Sequence, residues 1–424
     1  MNLSALMDRL VEVSEQDEEF LHWARFVESN VRLGIGATGF ILRFSGGHII
    51  GISGDHDPTV AWDYEIVGPE SDWVRMWRGE MDFMQARVPK HGSVAIRGDR
   101  VRFGADIAAI DRLVRLLPKA AAKLGVEVKP AGPPATQGDP DPWRTRHDVL
   151  GRYVNVQGVR TYYETIGDKS SVAFLAMHSA GRDCRQWQQF GDVIAEAGQL
   201  FALDLPGRGK SWPLPGGCCL TTMDEIASFT WAFRNAAGIT IPTVVLGCSM
   251  GGSLVFQLAA EHSDEVVALI SFEGSDLTGA PPEAELVLMD HPRVNIAYNH
   301  APRTISVAGS RAALSRVDYL RWEVRSLSSI SIKSDLTAYS RFDFRSRMQE
   351  VRCPALLVRG TDDYLVYAER VTDSARRLTN ARVVEVVMPE GVGHYAHVEQ
   401  PVELARLTLD FLRRHGIIPK EKKG

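Results

Sequence analysis

Cysteine is scarce, charge is nearly balanced and long apolar runs are missing from this chain of 424 residues. The five cysteines, Cys184, Cys218, Cys219, Cys248 and Cys353, are odd in number and two are adjacent. That pattern suits reduced thiols better than a disulfide framework, and no paired spacing marks a metal site. A formal net charge of -5, with a basic cluster only at Lys420, Lys422 and Lys423, builds no field for nucleic acid. No stretch approaches the roughly 20 apolar residues of a membrane span. The opening MNLSALMDRLVEVSEQDEEF places acids where a secretory leader needs an unbroken apolar run, so the expected compartment is the cytoplasm. The one G-x-G-x-x-G string, Gly34 to Gly39, joins two β-rich runs instead of opening a helix, and no H-E-x-x-H occurs, so the expected chemistry needs no cofactor and no metal. Internal repeats and low-complexity tracts are also missing.

What is present is enough apolar sequence for two cores: 45% of residues are hydrophobic and 24% charged, over a length at which single cores stop growing. VEVKPAGPPATQGDPDPW opens an expected linker over 126–147, where Pro, Gly and Asp favour turns. It separates a first domain, 1–125, from a second, 148–424. In the first, residues 18–30 read as helix. VRLGIG, GFILRFSGGHIIGISGD and TVAWDYEIVG read as strands, with Gly46-Gly47 closing a hairpin. Pro69 to Glu80 reads as a capped helix, SVAIRGDRVRFG as a second hairpin around Gly98-Asp99, and ADIAAIDRLVRLLPKAA as an amphipathic helix. The predicted class is α+β. This order of elements, with the strings VGPESDWVRMWRGEMDF and SVAIRGDRV, resembles the sterol carrier protein family, a curved sheet covered by helices around an apolar tunnel. The resemblance implies either lipid binding or a packing module through which the chain forms a homo-oligomer.

Behind the linker, YVNVQG and VRTYYETIG predict an antiparallel start. VAFLAMHS, QLFALDLP, PTVVLGCS, VVALISFEG, PALLVRG and VVEVVMPEG are then short apolar runs separated by helical stretches, the pattern of a mostly parallel sheet with helices on both faces. Such sheets place ligands at the carboxyl ends of their strands. One of these ends carries Gly247-Cys248-Ser249-Met250-Gly251, a G-x-S-x-G string between strand and helix. A serine on that sharp turn is exposed and strained, and the glycines clear space for neighbouring backbone. Cys248 is expected to turn away from it and pack. Serine needs a base oriented by a carboxylate. Asp362 and Asp363 follow the strand PALLVRG, and His394 and His397 follow the last strand. The order Ser, Asp, His is that of the α/β-hydrolases.

From about residue 148 the chain is similar to the α/β-hydrolase superfamily. Four motifs agree in order: HSAG at 178–181, DLPGRGKS at 204–211, the elbow, and the C-terminal strings GTDD and GHYAHVEQP, which match G-x-x-D and G-H-x-x-x-x-E-x-P. The resemblance implies Ser249, Asp363 and His394 as a catalytic triad, with Asp362, Glu273 or Asp276 as alternative acids and His397 as a surface histidine. Met250, as the residue after the nucleophile, would donate one oxyanion N–H, and Ala180 the other by position. Ser179 replaces the family's glycine, which leaves open a role for its hydroxyl. His178 is expected to brace its loop, and Asp204 and Arg208 to form a structural pair or turn. Residues 277–350 are too many for a simple connection and match the family's helical cap. Trp187, Tyr298, Tyr319 and Trp322, with Tyr339, are the candidate substrate contacts, or else pack the cap. The implied activity is hydrolysis of an ester or lactone of a small, mostly apolar substrate. Two alternatives stay open: carbon–carbon cleavage, as in the meta-cleavage product hydrolases with their similar G-x-S-M-G-G elbow, and a lipid-binding or scaffolding protein with a vestigial hydrolase half.

Overall fold

The computed structural model describes residues 2–54, 60–129, 143–168, 171–278, 283–295, 300–326 and 328–420. Most of the expected linker therefore lies outside the described residues. Two compact units are present: Met1–Pro134 with Val287–Ser306, and Ala135–Leu286 with Val307–Gly424.

The first unit opens with α1 (Leu3–Ser14), a helix the sequence reading did not anticipate. Asn2 caps it by accepting the Ser4 N–H at 3.0 Å, and Leu6, Met7, Leu10 and Val13 form its buried stripe. The helix expected over 18–30 is only α2 (Glu18–Ala24), capped by Asp17, because the chain must extend from Asn30 to enter the sheet. Strands β1 (Asn30–Ile35), β2 (Thr38–Ser45), β3 (His48–Gly54), β4 (Tyr64–Gly68) and β5 (Ala95–Gly98) pair in the order β3-β2-β1-β4-β5. The β1–β4 pair is parallel and the other pairs are antiparallel. Helices α3 (Glu70–Trp77), α4 (Phe83–Ala86), α5 (Arg100–Arg115) and α6 (Leu117–Ala122) complete the unit. The hairpin expected at SVAIRGDRVRFG does not form. Asp99 accepts the Arg102 N–H at 2.9 Å and caps α5, so the second half of that string is helix.

The insertion expected as one cap over 277–350 is divided. Val287–Ser306 packs within the first unit: its helix over Ala301–Ser306 meets α4 and α5, and the side chains of Val294 and Leu288 crowd Gly104. Apolar residues in this stretch find a partner face on α5, which no local pattern announces.

The second unit holds β6 (Val149–Val156), β7 (Val159–Ile166), β8 (Ala173–Met177), β9 (Gln199–Leu203), β10 (Thr243–Cys248), β11 (Val266–Phe272), β12 (Ala355–Val358) and β13 (Val384–Val387). Their order is β13-β12-β11-β10-β8-β9-β7-β6, parallel from β13 to β9 and antiparallel beyond. Alternation explains why β8 is wholly apolar. Ala173, Leu175 and Met177 join the core beneath α8 (Met223–Ala236) and α9 (Met250–Glu261), whereas Phe174 and Ala176 join the opposite core. That second core is closed by α7 (Gln188–Ile194) and by α13 (Pro401–Arg414), which lies beyond α12 (Ala368–Arg377) in the chain. Of the stretch expected as a cap, α10 (Leu314–Val324) and α11 (Ser329–Ser340) belong to this unit. No helix among the described residues is long and apolar enough to cross a membrane.

Candidate active site

β10 ends one residue before Ser249 and α9 begins one residue after it. Ser249 is therefore pinched into φ 56, ψ -113, a conformation that costs a non-glycine residue of order 1–3 kcal/mol. The flanking glycines allow it by close approach. A Cβ on Gly247 would lie 2.3 Å from the Gly251 carbonyl, and one on Gly251 would lie 2.4 Å from the Met177 carbonyl oxygen. The Ser249 N–H donates to Phe272 O at 2.9 Å, tying the turn to β11.

His394 reaches this turn from the loop after β13. Its Nε2 lies 3.0 Å from Ser249 Oγ, and its Nδ1 lies 2.9 Å from Asp363 Oδ2. With a carboxylate at Nδ1, that nitrogen carries the proton and Nε2 is free to accept the serine hydrogen. Asp363 Oδ1 accepts the N–H of Leu365 at 2.8 Å and of Val366 at 3.3 Å, so both oxygens are engaged. Burial alone would raise the Asp363 pKa. The His394 ring and these N–H groups outweigh it and hold the carboxyl below its ordinary range.

The alternative acids are occupied elsewhere. Asp362 accepts the Ser310 N–H at 2.8 Å at the surface, and Asp276 pairs with Arg377 at 3.0 Å and with Ser374. Glu273, at φ 49 beyond β11, accepts the Gly360 N–H at 2.9 Å. Burial, reinforced by the Asp363 charge, pushes its pKa well above the ordinary carboxylate range. Cys248 turns its thiol to the His394 carbonyl, away from the serine hydroxyl.

A residue quoted in the motif but given no role holds the histidine loop. Glu399, wholly buried, accepts the N–H of Gly393 and of Gly309 at 2.8 Å each and of Tyr395 at 3.0 Å. His397 is not at the surface as expected. It is fully buried, its ring 4.1 Å from that of Trp187, and burial drives its pKa down to about 3.

His178 Nδ1 donates to Ser179 O at 2.8 Å and its Nε2 accepts the Leu205 N–H at 3.4 Å, a brace between two loops. Ser179 gives its N–H to Gln186 Oε1 at 3.2 Å, and its hydroxyl is buried against the Cys248 thiol. The N–H groups of Ala180 and Met250 have no acceptor among the described residues. Asp204 and Arg208 do not pair with each other. Asp204 accepts the N–H of Cys184 and of Lys210, whereas Arg208 pairs with Asp335 on α11.

Two expected substrate contacts are elsewhere. Trp187 is a core residue, packed on Phe190, Phe272 and His397. Trp322 is 52% exposed with Arg185 over its ring, because its face of α10 looks to solvent. Tyr319 is half-buried between Trp143 and Trp322, and Tyr298 lies outside the described residues. Tyr339 is also half-buried, packed against the core with its hydroxyl 3.5 Å from Ser253 Oγ. One group of possible ligand atoms, Asp183, Cys184 and Asp204, converges near the base of the 178–187 loop. Arg185 already neutralises Asp183, and burial next to Asp183 lifts Asp204 to about 7.

Fold and site together define a hydrolase architecture with a serine elbow. The chain belongs to the alpha/beta hydrolase family, whose profile matches residues 172–407, more than half of its length, and it is an enzyme of the hydrolase type. It is 32% identical over 194 residues to a dihydrolipoyllysine-residue acetyltransferase component of an acetoin cleaving system from Cupriavidus necator; the match covers 45% of this chain and 46% of that relative. It thus spans about half of that protein. A 2-hydroxy-6-oxononadienedioate/2-hydroxy-6-oxononatrienedioate hydrolase of Burkholderia vietnamiensis is 25% identical, over 63% of this chain and 96% of its own. The fold is shared with the enol-lactonase from Burkholderia xenovorans at a TM-score of 0.55 and 19% identity, covering 62% of this chain and 99% of that one.

Proposed function

We propose that the protein is a serine hydrolase that opens an ester or lactone of a small, mostly apolar substrate through an acyl-enzyme on Ser249. The observation that carries this reading is the unbroken relay from the strained Ser249 hydroxyl through His394 to Asp363. Ser249 Oγ attacks the carbonyl carbon while His394 Nε2 takes its proton. The negative oxygen so formed is held by the N–H groups of Met250 and Ala180, a term commonly worth a few kcal/mol per donor. Collapse breaks the carbon–oxygen bond, and the leaving alkoxide takes the proton from His394. Water then repeats the sequence on the acyl-serine and releases the acid.

The test is stopped-flow hydrolysis of short p-nitrophenyl esters by the wild type and Ser249→Ala. A burst of nitrophenol equal to the enzyme concentration, lost in the variant, is expected; equal rates in both proteins would overturn the reading. A second reading, carbon–carbon cleavage beside a carbonyl by the same triad, draws support from the Burkholderia vietnamiensis hydrolase, matched over 96% of its length. Turnover of a dienedioate but of no ester would favour it.

For the first unit we propose a sterol-carrier-like fold that takes an apolar ligand or pairs two copies of the chain. Support comes from the helix-covered five-stranded sheet and from the exposed Phe26 and Ile50; a half-open cleft of about 360 Å³ is bordered by Met76, Met81, Phe83 and Val114 but equally by Glu80, Asp82, Gln85 and Arg115. A monomer by sedimentation that also fails to bind a fluorescent fatty acid would remove both roles.

A further inference from the structure

Three consecutive N–H groups in the loop after β8 have different fates. Ser179 donates to Gln186 Oε1 at 3.2 Å, Gly181 donates to Asp335 Oδ2 at 2.6 Å, and Ala180 between them has no acceptor among the described residues. Both acceptors are tied to the cap. Gln186 passes its amide hydrogen on to Glu323 of α10 at 3.2 Å, and Asp335 itself sits on α11.

Asp335 is wholly buried, which is costly for a carboxylate unless it is paired. Arg208 pairs with it through Nε at 3.0 Å and through Nη2, and is itself fixed by Ser334 Oγ at 2.9 Å and Pro206 O at 2.7 Å. The oxygen that takes the Gly181 N–H also takes Arg208 Nε, so the loop after β8 and the loop after β9 share one acceptor from the cap. One turn earlier on α11, Ile332 presses on Gly181. A Cβ there would lie 2.9 Å from Ile332 Cγ1, and Gly181 has φ +71. A polar and an apolar contact from one helix thus fix the peptide that follows Ala180; the preceding peptide, which carries the Ala180 N–H, has its carbonyl held by His178 Nδ1 at 2.8 Å, so α11 pins the loop on the far side of that N–H.

We infer that Asp335 is a positioning residue by which the cap helix α11 holds the 179–181 loop so that the Ala180 N–H faces the carbonyl attacked by Ser249. The inference rests on the serine-hydrolase reading above. The cap then does more than cover a pocket: the oxyanion hole is complete only while α11 is seated. A buried ion pair contributes little net stability, and here its use is to orient a loop that has no regular structure.

The test compares Asp335→Asn with Asp335→Leu, which lose the charge alike and differ only in retaining an acceptor for Gly181. In each, kcat and KM for a p-nitrophenyl ester, the inhibition constant of phenylboronic acid and the melting temperature are measured. The boronate forms a tetrahedral adduct on serine whose charged oxygen occupies the hole. Asp335→Leu should lower kcat roughly 10- to 100-fold, short of the loss on deleting a donor outright, with KM within about 3-fold and boronate affinity falling in step. Asp335→Asn should recover most of kcat although it melts as low as Asp335→Leu. If either variant fails to fold, the same pair is made in Arg208→Met, which removes the unpaired buried cation. Equal kcat and equal boronate affinity in the Asn and Leu variants would overturn the inference. Absence of a burst in the wild type would instead overturn the serine-hydrolase reading.

Discussion

Glu399 accepts the N–H of Gly393, the residue immediately before His394, at 2.8 Å, and its other oxygen takes the N–H of Tyr395, immediately after. One buried side chain therefore sets the backbone on both sides of the imidazole. Replacing it with Gln presents an amide NH₂ to an N–H donor. We expect Glu399→Gln to cost about 1–3 kcal/mol, the range for a buried donor left unsatisfied, and to lower kcat more than KM. Chemical denaturation and steady-state kinetics on one preparation check both; unchanged kcat would show that His394 is placed by other contacts.

The two adjacent acids separate cleanly. Asp363→Asn should lower kcat by about 10³–10⁴, since an amide at Nδ1 favours the wrong imidazole tautomer. Asp362→Asn, whose carboxylate meets only surface loop groups, should stay within about 2-fold of the wild type, because nothing it touches takes part in the relay. Comparable losses in both would return the assignment of the acid to open question.

Around neutrality, stability should fall as pH rises. Burial, partly offset by Arg182, raises the Glu323 pKa from 4.5 to about 7. Between those values the folded protein holds a proton that the unfolded chain has released. The stabilisation is full below 4.5 and is lost as pH climbs through 7. Asp204 and Glu399, also raised to about 7, act in the same direction. Asp363, held low, and His397, driven down to about 3 by burial, have the opposite sign: Asp363 weakens the fold only on strong acidification, whereas His397 opposes the main trend as pH falls through 6.5. Melting temperatures from pH 5 to 8 should decline less steeply in Glu323→Gln than in the wild type; parallel curves would place the proton elsewhere.

Gly251→Ala should prevent native folding or lower stability by about 3 kcal/mol or more, because its Cβ would meet backbone, which cannot yield as a side chain can. Retention of the wild-type melting temperature would mean that the elbow has slack it does not show.

Trp187→Ala should cost about 3–5 kcal/mol, the range for emptying a large aromatic from a core, whereas Trp322→Ala should stay within about 0.5 kcal/mol. Urea unfolding of both variants decides between core and surface. A stable Trp187→Ala with a raised KM would restore its expected role as a substrate contact.

Much of this protein follows from local pattern. Apolar runs at β-strand length, the glycines around Ser249, and the strings that end in Asp363 and His394 report their own surroundings, because a buried parallel strand must be apolar on both faces and an elbow tolerates no Cβ. The hairpin expected at Gly98-Asp99 failed for a local reason too: an Asp before Arg100 caps a helix as readily as it turns a hairpin. Distance in sequence defeated the rest. Nothing near Asp335 says that it will meet Arg208 and Gly181, 127 and 154 residues away. Nothing near Trp187 or His397 says that their rings will meet inside a core, and nothing in 287–306 says that it will pack against α5. Those outcomes depend on which faces the tertiary fold brings together, since burial and charge pairing are properties of the assembled neighbourhood and not of any stretch of chain.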